Sequence, residues 1–131
     1  MILSGQSPKN SKVVIFGLTF KENCPDIRNS KVADIIGRFR EYGITPTVTD
    51  CRASKPDAKK EYNIDLKELS EIKNADCIIM AVAHDEYKSI PLDDINKLYK
   101  NVPQEQKVLI DVKGLYKIND LKKLGIRFWR L

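Results

Sequence analysis

Cysteine, histidine and glycine are scarce in this chain, and each scarcity removes a class of function. The three cysteines, Cys24, Cys51 and Cys77, are odd in number and widely spaced, and no C-x-x-C pair occurs. They support neither a disulfide framework nor a zinc site. Histidine occurs once, as His84. No apolar run approaches the ~18 residues that cross a bilayer, and Met1-Ile2-Leu3-Ser4-Gly5 is too short for the apolar core of a secretion signal. A membrane role is therefore not expected, and the cytoplasm is the expected compartment. Blocks of one charge sign are missing as well. The 23 basic and 18 acidic residues are interspersed except at Lys59-Lys60 and Lys122-Lys123. A net charge of +5 spread in this way suits a small anionic ligand and argues against a nucleic-acid stripe. No internal repeat or low-complexity segment is present.

What the chain does contain is an ordinary share of apolar residues, 42% of 131, enough for one core and one domain. Met1 to Asn10 is polar and holds Ser4, Gly5, Ser7 and Pro8, so residues 1–11 read as a flexible arm or an interdomain junction. The domain proper is expected over 12–131. Val13-Val14-Ile15-Phe16 is a short apolar run ending at Gly17, the pattern of a buried parallel strand with a tight exit. Val32, Ile35, Ile36 and Phe39 then recur at helical spacing, capped by Asn29 or Ser30 and closed by Gly43. Ile44 to Thr49 reads as a second strand. Arg52 to Asn63, with Pro56 and many charges, reads as a loop or a ragged helix. Ile64 to Leu66 suggests a short edge strand, and Leu66, Leu69 and Ile72 the face of another helix.

Cys77 to Val82 gives the strongest strand signal, and its continuous apolarity places it centrally. After it come a loop and helical turn at residues 83–87, a helix over Pro91 to Tyr99 and a buried strand Val108 to Asp111. A short helix, Ile118 to Leu124, and a last strand, Ile126 to Trp129, complete the pattern. Strands alternating with helices predict an α/β fold: a Rossmann-like, doubly wound, mostly parallel sheet of about five or six strands with helices on both faces.

The chemistry concentrates between Leu18 and Ser30, where Thr19, Lys21, Asn23, Cys24, Asp26 and Arg28 form a polar loop ahead of a helix. Loops beyond the carboxyl ends of parallel strands bind ligands in open α/β sheets, and two cations beside a helix N-terminus favour an anion such as phosphate. A self-sufficient dinucleotide site is not expected, because this turn has Gly17 alone where G-x-G-x-x-G needs three glycines. Asp50, at the end of the second strand, is either a turn former or a partner for a ribose hydroxyl. A phosphatase built on Cys24 and Arg28 is excluded by spacing: three residues separate them, against about five in an anion-wrapping loop, and Pro25 removes a backbone donor. Cys24 then reads as a small filler. His84 follows the central strand at the ligand edge, where a hydrogen-bonded loop histidine is the expected role.

The run GLTFKENCPDIRNSKV resembles the opening of the C-terminal domain of the UDP-glucose/GDP-mannose dehydrogenase family, in particular the branch acting on UDP-N-acetylhexosamines. The resemblance extends through IDVKGLY to the FWRL ending, with the FK pair, D-x-R-x-S and D-x-K-G in family order. It implies a UDP-sugar-binding role in which Phe20 and Lys21 lie against the substrate and Lys113 contacts its UDP part. It implies that Arg28 reaches the NAD pyrophosphate. It further implies that NAD is bound mainly by an N-terminal domain outside this chain, and that a central helical domain dimerises the enzyme and supplies the catalytic cysteine. The family reaction, a double oxidation of a sugar alcohol to a uronic acid for polysaccharide synthesis, has neither nucleophile nor base here, so no catalytic residue and no metal ligand is expected in this chain. The other reading is a stand-alone, flavodoxin-like module that binds an anion or a protein without catalysis. An exposed apolar face, left by absent domains, distinguishes the first from the second.

Overall fold

The computed structural model describes residues 11–130. The arm expected at the N-terminus lies outside them except for Ser11, which is buried. In chain order the elements are β1 (Val13–Phe16), α1 (Lys31–Glu41), β2 (Thr47–Thr49), α2 (Lys55–Tyr62) and β3 (Cys77–Met80). There follow α3 (Asp85–Lys88), α4 (Leu92–Asn96), β4 (Val108–Asp111), α5 (Ile118–Leu124) and β5 (Arg127–Arg130). The five strands form one sheet in the order β2-β1-β3-β4-β5, and every pairing is parallel.

Strand alternation divides the core in two. Val13, Ile15, Cys77, Ile79 and Val108 point to the face covered by Val32 and Ile36 of α1 and Ala58 of α2. Val14, Phe16, Ile78, Met80 and Leu109 point to the other face, beneath Tyr87 of α3, Ile95 of α4 and Leu121 of α5. The sheet is thus doubly wound, and β1 and β3 throughout, and β4 up to Asp111, are apolar because both their faces are covered. The direction of winding reverses between β1 and β3, since β1 leads through α1 to β2 on one side while β3 lies on the other. That crevice is the topological switch point, where ligands of such folds bind.

Local chemistry explains the boundaries. Ser30 caps α1, its hydroxyl accepting from the Ala33 N–H at 3.2 Å. Gly43 (φ +79°) and Ile44 end the same helix by donating to the carbonyls of Arg40 and Phe39, so Ile44 closes the helix and β2 starts three residues later than its apolarity suggests. Arg52 to Asn63 holds a definite helix, α2, with Ser54 as cap, a proline in its first turn and Asn63 in the left-handed conformation at its end. Ile64 and Leu66 are buried without forming a strand, and the helix expected around Leu69 is one 3-10 turn, Leu69–Glu71, that leaves Leu69 exposed. The helix expected over Pro91 to Tyr99 is regular only over α4.

Candidate functional site

Three strand exits meet at the switch point. Gly17 leaves β1 with φ +107°, donates its N–H to the Thr49 carbonyl at 2.8 Å, and passes so close to β3 that a Cβ there would lie 2.5 Å from the Val82 Cβ. Only a glycine fits this approach. From β3 the chain turns through Ala81 and Val82, whose N–H groups both reach the Phe16 carbonyl. The β4 exit is shaped by Asp111, fully buried, whose carboxylate accepts the N–H groups of Leu115 and Tyr116 at 2.9 Å each. Lys113 is carried outward on that turn, next to Gly114 (φ +68°).

Between these exits lies a cleft of about 360 Å³ lined by Phe20, Lys21 and Glu22 of the β1 exit, Lys31 at the start of α1, Ala81 of the β3 exit and Lys113 of the β4 exit. The structure therefore brings Phe20, Lys21 and Lys113 together. Phe20 is 55% exposed, an unusual cost for a phenyl ring unless something covers it. Lys21, Lys31 and Lys113 make no ion pair among the described residues. Three ammonium groups and one carboxylate around a concave, partly apolar space can take a small anion carrying a flat ring. Lys31 was not singled out from sequence. Once Ser30 is the cap, position 31 opens the helix beside the loop.

Arg28 stands elsewhere. Its guanidinium grips Asp26 through Nε at 3.0 Å and Nη2 at 3.1 Å, and it lines grooves shared with Glu61, outside the cleft of Phe20 and Lys21. The hydrogen bonds from Arg28 hold the Asp26 carboxyl below the usual aspartate range. The Arg28 side chain is 78% exposed and has N–H groups left for a partner beyond Asp26.

Under the loop the polar groups are buried and satisfied. Asp50 Oδ2 accepts the N–H groups of Leu18 and Thr19 at 2.6 and 3.1 Å, while Oδ1 accepts those of Arg52 and Ala53 at 2.7 and 2.9 Å. Burial opposes its charge, but the bonds from Leu18, Arg52 and Ala53 outweigh that and keep the carboxyl below the ordinary aspartate range. Asp50 is a turn former, with both oxygens spent on the chain. Arg52 pairs with Glu86 through two bonds of 2.8 and 2.9 Å, and these bonds bring the Glu86 carboxyl down to about 2. Ligand-type atoms of Asp50, Cys51 and His84 lie within 4.8 Å of one another. A cation there must first displace the hydrogen bonds that both Asp50 oxygens and both His84 nitrogens already make, so this cluster is a hub of the fold. Burial pushes the Cys51 thiol up, and the Cys77 thiol up to about 12, so neither is poised as a thiolate nucleophile at neutral pH.

An open parallel sheet with a cationic cleft at its switch point defines a binding domain for an anionic small molecule. The particular family follows from sequence: residues 14–118 match the UDP-binding domain of the UDP-glucose/GDP-mannose dehydrogenase family, and the chain belongs to that family. It is 37% identical over its whole length to Protein CapL of Staphylococcus aureus, of which it covers 30%. It is 44% identical over 105 residues, 80% of this chain and 24% of the relative, to a UDP-N-acetyl-D-glucosamine 6-dehydrogenase of Pseudomonas aeruginosa. The chain thus spans 24% to 30% of these relatives, corresponding to their C-terminal part. The fold agrees with that of a solved UDP-D-ManNAc dehydrogenase from Pyrococcus horikoshii at TM-score 0.75 and 21% identity, over 97% of this chain and 27% of that one. No described helix is long and apolar enough to cross a membrane.

Proposed function

We propose that residues 12–131 are the UDP-sugar-binding domain of an NAD-dependent nucleotide-sugar 6-dehydrogenase that converts a UDP-hexose or UDP-N-acetylhexosamine to its uronic acid for polysaccharide synthesis. The observation that carries this reading is the cleft in which Phe20 and Lys21, from one strand exit, face Lys113 from another. A nucleoside diphosphate sugar carries adjacent negative charges between two flat or polar ends. Lys21 and Lys113, reaching from different exits, suit the phosphates, and the exposed Phe20 ring suits the apolar face of the sugar or base. Relatives named for UDP-N-acetyl-D-glucosamine and UDP-N-acetyl-D-mannosamine support the N-acetylhexosamine class.

The redox step belongs to the rest of a longer protein. NAD, when bound by an N-terminal domain, accepts the hydride. This chain's contribution to it is Arg28, whose exposed guanidinium, already aimed by Asp26, would meet the pyrophosphate across a domain boundary. A homodimeric full-length enzyme acting in the cytoplasm completes the proposal. Exposed Ile35, one turn beyond Lys31 on α1, and exposed Tyr42 at the end of that helix suit coverage by another domain.

The test is an NMR titration of the chain with UDP, UDP-N-acetylglucosamine and NAD in turn, following the amides of Lys21, Arg28 and Lys113. Shifts at Lys21 and Lys113 with both uridine ligands are expected. Uridine ligands that leave both amides unmoved reject the substrate site and favour a module with another anion or a protein partner.

A further inference from the structure

One buried side chain touches three segments at the base of the cleft. His84 occupies the cap position of α3 yet makes no capping bond, because its ring turns inward and is fully buried. Its Nδ1 accepts the Asn23 N–H at 2.9 Å. A backbone N–H only donates, so Nδ1 carries no hydrogen and the neutral ring holds its hydrogen on Nε2. Nε2 lies 3.1 Å from Asp50 Oδ2 and 3.2 Å from Thr19 Oγ1. The Thr19 hydroxyl donates its own hydrogen to the Lys21 carbonyl at 2.9 Å, so its oxygen faces the ring as an acceptor.

The consequence is geometric. One imidazole holds both ends of the span from Thr19 to Asn23, and the residues between are Phe20, Lys21 and Glu22, which line the cleft. The span needs such a clamp, since Asn23 sits at φ +60° and all three tip residues are exposed. Asn23 is tied a second time, its side-chain oxygen accepting the Asp85 N–H at 2.9 Å, one residue beyond His84. We propose that His84 is the positioning residue of the cleft, its neutral ring setting where Phe20 and Lys21 stand without touching the ligand. This rests on the reading of the cleft as a uridine-nucleotide site.

The two bonding sides of the ring separate by substitution. In His84→Asn the amide oxygen stands near the Nδ1 position and retains the Asn23 bond. In His84→Gln the amide nitrogen reaches toward the Nε2 position and retains the bonds to Asp50 and Thr19. His84→Ala loses both. UDP affinity, amide order over residues 19–23 and the unfolding midpoint are measured for all four proteins. The expected result is UDP binding weakened about tenfold in His84→Ala, with order lost at the tip, and partly recovered in the Asn or Gln variant. Unchanged UDP affinity in a folded His84→Ala overturns the proposal. Should the alanine variant fail to fold, the comparison passes to the Asn and Gln variants, where wild-type affinity in both overturns it equally. Wild-type ring nitrogen spectra give a check without mutation: a hydrogen found on Nδ1 removes the clamp. If the wild-type chain binds no uridine ligand while His84→Ala still loosens residues 19–23, the substrate reading fails and the clamp stands.

Discussion

The loop that leaves β1 has an underside and an outer side, and ionisable residues are put to opposite use on the two. Beneath it, Asp50 and His84 are buried, and every hydrogen-bonding atom of both is spent on the chain. Above it, Lys21, Lys31 and Lys113 make no ion pair among the described residues and face a cleft. The underside fixes a shape, because a buried polar atom without a partner costs more than any one bond returns. The outer side stays unpaired because solvent already satisfies exposed ammonium groups, so they remain available to a ligand. Arg28 lies between the two cases, paired with Asp26 but exposed.

Gly17→Ala is the harshest test of the underside. The new Cβ would meet Val82 at 2.5 Å and hold a left-handed φ that alanine disfavours, at a loss of about 3 kcal/mol or more by clash and strain together. Urea unfolding measures it. Wild-type stability in this variant breaks the claim that the exits of β1 and β3 pack in contact at Gly17 and Val82.

Asp50→Asn comes next. The amide cannot accept on both ends of its head group as the carboxylate does, and a loss of about 1–3 kcal/mol follows for a buried acceptor. The pH sign is fixed by the depressed folded value of this carboxyl. Its stabilising contribution is complete above the ordinary aspartate range and disappears as pH falls through the lower, folded value. Wild-type unfolding midpoints therefore decline in acid, and Asp50→Asn shows a shallower decline. Equal slopes would remove Asp50 from the hub.

On the outer side, Lys21→Gln and Lys113→Gln each remove one charged donor. Each should weaken UDP binding by about tenfold, the usual worth of one charge-assisted bond, and leave the unfolding midpoint unmoved. Lys59→Gln, which loses a surface pair with Asp65, is the control and should change neither. If Lys21→Gln lowers stability as Asp50→Asn does, the two sides are not distinct.

These two sides were unequally legible in the sequence. The strands β1, β3 and β4 could be read because burial on both faces leaves uninterrupted apolar runs, and α1 because Val32 and Ile36 fall one turn apart. Lys21 was legible as a cation on the polar loop that follows β1, whereas Phe20 and Lys113 were singled out by the resemblance of the FK pair and D-x-K-G to the family motifs. The helix α2 was obscured since its order comes from Ser54, a proline in the first turn and Asn63, with Ala58 its only buried residue. Ile64 and Leu66 misled because buried irregular chain has the same composition as a short strand. The underside was hardest. Asp50 and His84 are 34 residues apart, and only the sheet order, which sets β2 and β3 on either side of β1, brings their strand exits to one point. Local periodicity carries no record of such a meeting.

The smallest expected effect sharpens the comparison at its boundary. Arg28→Gln removes a guanidinium that is 78% exposed and whose described ion pair is with Asp26, itself partly open to water. Solvent screening makes such a pair nearly neutral for stability, so the unfolding midpoint should not move measurably. Because Arg28 lines other grooves than the one holding Lys21 and Lys113, UDP affinity should not move either. Relief of the pair does return Asp26 toward its ordinary range, and the acid limb of the unfolding curve should lose a small part of its slope. A drop in UDP affinity as large as that of Lys21→Gln would place Arg28 on the substrate. Its proposed meeting with the pyrophosphate of NAD would then give way to a single anion site reaching from Lys113 across the loop to Arg28.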